Sequence, residues 1–220
     1  MRSITISLFI GLSLPATLIA QFQPGYARPG LDGRIEAAVP FDDGGGAALY
    51  VGGVFSFADG VAVDGIARWD GEVWTPVGEV GDPAIDTEVR ALAVFDDGSG
   101  PALYAGGEFT EIAGLPIEGI ARWDGSSWSA VGDELELVNA LEIYDDGSGP
   151  ALYAAAGRGL VSWDGTEWVD EIVAPFFSNS VLALAVYDDG GGDKLFFGGN
   201  FVLTEDVQIV SIGSWDGTTA

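Results

Sequence analysis

A ten-residue unit, Gly-Ile-Ala-Arg-Trp-Asp-Gly-Ser-Ser-Trp at residues 119–128, recurs at 65–74 and, in altered form, at 160–168 and 212–217. All seven tryptophans of the chain fall in these copies. Trp69 and Trp74, Trp123 and Trp128, and Trp163 and Trp168 stand five positions apart with Asp-Gly directly after the first, and Trp215 opens the fourth copy. Asp-Gly between β-prone runs marks a hairpin. A two-residue loop would set Trp69 opposite Glu72 and Trp74 opposite Ala67; a four-residue loop would set Trp69 opposite Trp74. Either register puts both indoles on one face, because side chains alternate with period two. The pairs therefore read as packing, worth roughly 0.5–1.5 kcal/mol beyond their buried area.

A second series runs in step with the first. Asp-Asp-Gly turns begin at Asp42, Asp96, Asp145 and Asp188, giving steps of 54, 49 and 43 residues. Leu-aromatic pairs follow at a fixed offset, at Leu49-Tyr50, Leu103-Tyr104, Leu152-Tyr153 and Leu195-Phe196. Double glycines close that run at Gly52-Gly53, Gly106-Gly107 and Gly198-Gly199, where the third unit has Ala155-Ala156. Such glycines suit a close approach of neighbouring backbone. Residues 31–38 align with 85–92, so the repeat begins before the first obvious strand. Each unit holds four short β-prone runs, over approximately 34–78, 88–132, 137–170 and 181–220, and no sustained helical periodicity follows the N-terminal segment. Four strands per unit of about fifty residues is the arithmetic of a β-propeller blade. The expectation is an all-β chain of four-stranded antiparallel blades, about four of them, with the last incomplete. The first strand of the second unit, residues 89–95, carries two apolar sets and is expected to be buried on both faces.

Absences narrow the chemistry. With no Cys there is no disulfide, thiolate nucleophile or thiolate metal site, and with no His the commonest general base and transition-metal ligand are missing. Against 34 acidic residues stand 8 basic ones, a net charge of −26. That balance repels phosphate backbones and anionic lipid, which argues against nucleic-acid and membrane-surface partners. Residues 1–20 combine Arg2, an apolar run and a small residue at Ala20, the pattern of a secretory signal peptide cleaved before Gln21. Loss of Arg2 with it takes the net charge to −27. Export, to the extracellular space or periplasm, is the expected localisation, with no membrane insertion after cleavage. Residues 21–33 are then a linker or a closing strand, Phe22 and Tyr26 being offset by Pro24.

The sequence Leu-Tyr-x-Gly-Gly-x-Phe followed by Ile-Ala-Arg-Trp-Asp-Gly-x-x-Trp resembles kelch-type propellers of the galactose-oxidase-like superfamily. It is closest in pattern to tandem repeats of exported bacterial proteins and of the fungal cortical cell-polarity marker family, over nearly all of residues 31–217. The resemblance implies the propeller fold and says little of function. The copper oxidase branch depends on His ligands and a Cys-linked Tyr that this chain lacks, so that activity is not implied. Residues 124–128 approach the Asp-box turn of sialidase-like propellers but lack one residue between Asp and Gly.

Two groups merit weighing as sites. The pairs Asp42 and Asp43, Asp96 and Asp97, Asp145 and Asp146, and Asp188 and Asp189 offer carboxylates to Ca²⁺, yet lack the alternating spacing that wraps a loop around a hard cation. Asp and Gly are equally what a tight turn needs, and that reading is favoured. Arg68 and Arg122 lie two residues before Asp70 and Asp124 on one strand face, the geometry of an ion pair; Ser162 and Ser214 replace them elsewhere. No catalytic residue and no metal site is assigned, and the ligand-binding residues are left open. The repeat positions Trp69, Trp74, Trp123, Trp128, Trp163, Trp168, Trp215, Gly52, Gly53, Gly106, Gly107, Gly198 and Gly199 are structural. The functional expectation is a binding, adhesion or scaffolding module for a protein or glycan, with specificity in the loops 55–64, 109–118 and 201–209. The alternative is a carbohydrate-active enzyme, hydrolase or lyase, using paired carboxylates. The fourth unit stops short of a second Trp, so the expectation is a piece of a longer propeller or an open arc that self-associates through its open edge, the alternative being a small ring closed by residues 21–26.

Overall fold

The computed structural model describes residues 30–78, 88–157, 159–173, 181–202 and 209–217. The expected signal peptide, the stretch 21–29 and most of the third variable loop lie outside them. Among the described residues the chain is all-β: β1 (Arg34–Asp42), β2 (Ala47–Val54), β3 (Phe57–Ala58), β4 (Val61–Ala62), β5 (Ile66–Trp69), β6 (Trp74–Pro76), β7 (Glu88–Asp96), β8 (Pro101–Glu108), β9 (Ile120–Trp123), β10 (Trp128–Ala130), β11 (Val138–Asp145), β12 (Pro150–Ala156), β13 (Gly159–Trp163), β14 (Trp168–Val173), β15 (Val181–Asp188), β16 (Asp193–Val202) and β17 (Ile209–Trp215). They form three four-stranded antiparallel sheets, β1-β2-β5-β6, β7-β8-β9-β10 and β11-β12-β13-β14, a three-stranded sheet β15-β16-β17, and the small hairpin β3-β4. The four larger sheets follow one another along the chain, over residues 34–76, 88–130, 138–173 and 181–215.

Within each four-stranded sheet the Trp hairpin takes the four-residue register, with Trp69 opposite Trp74, Trp123 opposite Trp128 and Trp163 opposite Trp168. The indole pairs tilt at 42°, 46° and 49° with centroids 5.1, 5.5 and 5.3 Å apart, within the range of favourable aromatic pairs. The choice of register follows from the Asp. Asp70, Asp124 and Asp164 each accept two backbone N–H bonds from residues two and three further on, at 2.7–2.9 Å, and these fix the longer loop.

The sheets stack in chain order, with the first strands side by side: β1 against β7, β7 against β11, β11 against β15. No closed ring is found among the described residues. Three apolar clusters fill the three junctions. Phe41, Tyr50 and Ile66 meet Val89, Leu103 and Trp123; Phe95, Tyr104 and Ile120 meet Val138, Leu152 and Trp163; Tyr144, Tyr153 and Leu160 meet Val181, Leu195 and Phe197.

Every first strand carries one bulge, at Glu36, Arg90, Asn139 and Leu182. The extra residue changes which side chains share a face. Val89 before the bulge and Leu92 and Val94 after it all pack towards the first sheet, while Ala93 and Phe95 face the third. The strand is therefore apolar on both faces as expected, although Leu92 and Val94 are only half-buried.

The glycines of the second strands receive these valines. A Cβ built on Gly52 would lie 2.5 Å from Val89 Cγ1, and one on Gly106 equally 2.5 Å from Val138 Cγ1. Gly53 and Gly107 instead stand opposite the bulges, where a Cβ would collide with the backbone oxygen of Arg34 or Glu88. In the last sheet Gly198 pairs with Ala183 and Gly199 with Val181, the same register.

Candidate functional site

The two edges of the stack differ in kind. One edge carries the Asp-Asp-Gly and Trp-Asp-Gly turns, and its geometry repeats. The first Asp of each pair accepts two backbone N–H bonds: Asp42 from Gly44 and Gly46, Asp96 from Gly98 and Gly100, Asp145 from Gly147 and Gly149, Asp188 from Gly190 and Gly192, all at 2.7–3.0 Å. The second Asp faces inward. Asp43 accepts from the Tyr50 hydroxyl at 2.5 Å and lies 3.5 Å from the Arg68 guanidinium; Asp97 does the same with Tyr104 at 2.9 Å and Arg122 at 3.4 Å. In the third sheet Asp146 accepts from Tyr153 at 3.4 Å, and in the fourth Asp189 pairs with Lys194 at 2.7 Å.

The arginines thus pair with a different carboxylate from the one sequence spacing suggests. Asp70 and Asp124 share a strand face with Arg68 and Arg122, but their carboxylates are occupied by the turn N–H groups. The Asp43 and Asp97 turns instead come across the neighbouring strand to meet the guanidinium. Burial by itself would raise both of these carboxyls; for Asp43 the Tyr50 hydroxyl, the Gly45 N–H and Arg68 together hold it below the ordinary carboxylate range. For Asp97 the Ser99 hydroxyl and N–H lead, followed by Tyr104 and Arg122. Burial, then the adjoining carboxylate, pushes Tyr50 and Tyr104 upward, so both phenols stay protonated.

These turns also lock one sheet to the next. A Cβ on Gly125 would lie 2.5 Å from the Asp43 carbonyl oxygen, one on Gly165 3.0 Å from that of Asp97, and one on Gly217 2.9 Å from that of Asp146. The Trp-Asp-Gly turns of the second, third and fourth sheets each sit on the Asp-Asp-Gly turn of the preceding sheet. The second tryptophans add a hydrogen bond across the same junctions, Trp128 Nε1 donating to the Val77 carbonyl and Trp168 Nε1 to that of Val131, both at 2.8 Å. Carboxylates committed in this way to turn N–H groups, phenols and guanidinium leave little for a cation, and no group of three or more acidic ligands suited to a metal occurs among the described residues.

The opposite edge repeats in backbone but not in side chain. It holds the bulges, the ends of the second strands and the loops at 55–64 and 109–118. Glu36, Arg90, Asn139 and Leu182 occupy one geometric position in four sheets, yet they are four different residues. Three of them join a hydrogen-bonded row that crosses the junctions. Arg34 contacts Glu36 and bonds Glu88 at 2.9 Å; Arg90 bonds Glu88 at 3.2 Å, Glu108 at 2.5 Å and the Asn139 side-chain oxygen at 2.8 Å; Asn139 donates to the Val181 carbonyl at 2.9 Å. The Arg34 and Glu108 side chains are 64% and 63% exposed, whereas Glu88 and Arg90 are near a quarter exposed, so the row has a firm centre and accessible ends.

Beside the row, each described variable loop folds back on itself. Asp59 and Gly60 both take positive φ, 52° and 81°, as do Ala113 and Gly114, 51° and 76°. Both are two-residue turns with the backbone signs of the tight hairpin class. The first loop is tied down by Asp32, whose carboxylate accepts from the Ser56 and Phe57 N–H groups at 2.9 Å each. It presents Phe57 and Val61 to solvent, and the second loop presents Leu115. The third loop, 201–209, falls largely outside the described residues.

Sequence reasoning named these loops but missed the row. The signal was present in the aligned segments 31–38 and 85–92: Arg34 and Glu36 in one become Glu88 and Arg90 in the other. A sign reversal at matched positions of adjoining repeats is what paired neighbours produce. In comparisons with family models, with curated proteins and with solved structures, nothing matches this chain.

Proposed function

We propose that this chain is an exported propeller-type repeat module without catalytic activity, which binds a polar protein or glycan ligand along the bulge row and its flanking loops. The observation that carries the reading is the contrast between the edges. On the turn edge the same residues recur because each sheet needs them to seat on its neighbour. On the loop edge the bulge position is held to no single side chain: Val or Ile before it and Ala after it are kept, while the bulge residue itself is Glu, Arg, Asn or Leu. Bulge positions that vary in side chain, three of them linked into one polar row, are suited to recognition.

An enzyme of the carbohydrate-active class would need two carboxylates flanking the scissile bond, one of them held protonated. Glu88 and Glu108 are instead paired with arginine. Among the described residues the carboxyl that burial raises on balance is Glu142, which shares a sheet face with Tyr153 at the third junction, away from the row. Calcium at the Asp-Asp-Gly turns is likewise not required on this reading.

The test is a glycan and peptide array read alongside a panel of glycoside substrates. Binding without turnover, weakened at least tenfold by Arg90→Gln with the fold intact, is the expected result. Turnover of any panel member would overturn it. N-terminal sequencing of secreted material should begin at or near Gln21.

A further inference from the structure

The two outer faces of the stack are built like the faces inside it, but among the described residues no further sheet covers them. On the forward side of the fourth sheet, Tyr187 is 64% exposed and Ile212 63%. Register places Tyr187 with Phe41, Phe95 and Tyr144, and Ile212 with Ile66 and Ile120; every one of those is at most 7% exposed. Ala183 and Ala185 are exposed where Ala91 and Ala93 are buried. On the backward side of the first sheet, Ile35 is 48% exposed where Val89, Val138 and Val181 are at most 1%. Leu49, Trp69 and Trp74 are half-buried where Leu103, Trp123 and Trp128 are buried.

We propose that a second copy of this chain docks head to tail, the backward face of its first sheet covering the forward face of the fourth. The argument is continuity with an interface the chain already makes three times. At the first two junctions a valine enters the space above a glycine: Val89 over Gly52 and Val138 over Gly106, with 3.1 and 3.0 Å from the valine Cβ to a Cβ built on the glycine. Register puts Ile35 at the valine position and Gly198 at the glycine position. The open faces are therefore the two halves of one joint, apolar against apolar, with the knob on one and the hole on the other. The Asp70-Gly71 turn of the second copy then seats on the Asp188-Asp189 turn, as Gly125 seats on Asp43, Gly165 on Asp97 and Gly217 on Asp146. Exposed large apolar side chains clustered on one face mark an association surface. Because the two halves differ, the contact is heterologous and extends to a ring or a filament rather than stopping at a two-fold dimer.

The absence of cysteine makes the test specific. Ile35→Cys and Gly198→Cys are prepared separately in the full chain and mixed under mild oxidation; the internal Cβ separations at this joint are close to those of a disulfide, about 3.5–4.5 Å. The proposal expects the mixed disulfide dimer to exceed both self-linked dimers at least fivefold, and a single chain carrying both cysteines to give a ladder of linked oligomers. Sedimentation of the unmodified chain should show concentration-dependent association, weakened at least tenfold by Ile35→Asp, a change at an exposed position that leaves the fold intact. A disulfide closed within one doubly substituted chain would overturn the proposal in favour of intramolecular closure. A statistical mixture of dimers, or a monomer at every concentration reached, would overturn it outright.

Discussion

Trp123 and Trp128 form a matched pair whose replacement by Phe separates a hydrogen bond from the packing that surrounds it. Both indoles belong to the apolar cluster at the first junction, and they are 7% and 6% exposed. Truncation to Phe removes nearly the same buried surface from each, so that contribution cancels in the difference. The N–H groups are not alike. Trp128 donates to the Val77 carbonyl across the junction, while the Trp123 N–H is buried with no hydrogen-bond partner among the described residues. Trp128→Phe leaves a buried carbonyl without its donor, which costs about 1–3 kcal/mol; Trp123→Phe removes a donor that was already unsatisfied and incurs no such loss. The expected order is Trp128→Phe less stable than Trp123→Phe by about 1–3 kcal/mol. In urea, with a slope of about 2 kcal/mol/M, that separates the midpoints by about 0.5–1.5 M. Far-UV circular dichroism is the readout, since five other tryptophans complicate fluorescence. Equal midpoints, or Trp123→Phe as the less stable variant, would refute the view that the second tryptophan staples adjoining sheets.

Gly125→Ala and Gly98→Ala make a second contrast, with φ of +98° and +96°; the Cβ at 98 meets open space and the one at 125 meets the Asp43 carbonyl oxygen. Gly98→Ala should cost about 1–2 kcal/mol from backbone strain alone and Gly125→Ala a further 1–3 kcal/mol, measured by thermal melting. Burial raises the Glu142 carboxyl above 4.5, the Ile143 N–H opposing it, so the ionised form is penalised in the folded state and stability declines as pH rises through the raised value. Glu142→Gln should therefore stabilise at pH 7, with a gain that shrinks towards pH 4.5; a gain that grew on acidification would reverse the assigned cause. Excess chelator should leave the melting temperature unchanged, and a fall above about 4 °C, more than about 1 kcal/mol for a chain of this size, would restore a metal to the Asp-Asp-Gly turns.

The units, their order and the Trp hairpins were legible because each rests on residues with a strong local preference: Asp-Gly for the turn, alternation for the shared face. The register was not, since both loop lengths satisfy alternation; it is decided by where the Asp70 and Asp124 carboxylates find their N–H partners. The same bonds explain why Arg68 and Arg122 turn to Asp43 and Asp97, a choice that depends on two strands meeting and is invisible along one. The bulges were hidden for a related reason. One inserted residue leaves no compositional mark, so the two apolar sets of 89–95 read as simple alternation when Val89 and Leu92 in fact share a face. The Asp59-Gly60 hairpin carried the usual dipeptide signal and lay inside a stretch read only as a loop.

The excess of acid acquires a local cause from these contacts. Asp42, Asp43, Asp96, Asp97, Asp145, Asp146, Asp188 and Asp189, with Asp70, Asp124 and Asp164, account for eleven of the 34 acidic residues, and each accepts backbone N–H bonds that shape a turn. Asn can make part of that pattern, but an ionised carboxylate binds N–H groups more strongly. The Ser126 hydroxyl and the Ser126 and Ser127 N–H groups lower Asp124 to about 2, so its charge persists well into acid. A chain that builds every sheet from two such turns accumulates negative charge in proportion to its repeats, whatever it binds. Net charge is thus weak grounds for inferring a cationic ligand here. The row at Arg34, Glu88, Arg90 and Asn139 is the informative polar feature, because its residues change from sheet to sheet where the turn residues recur.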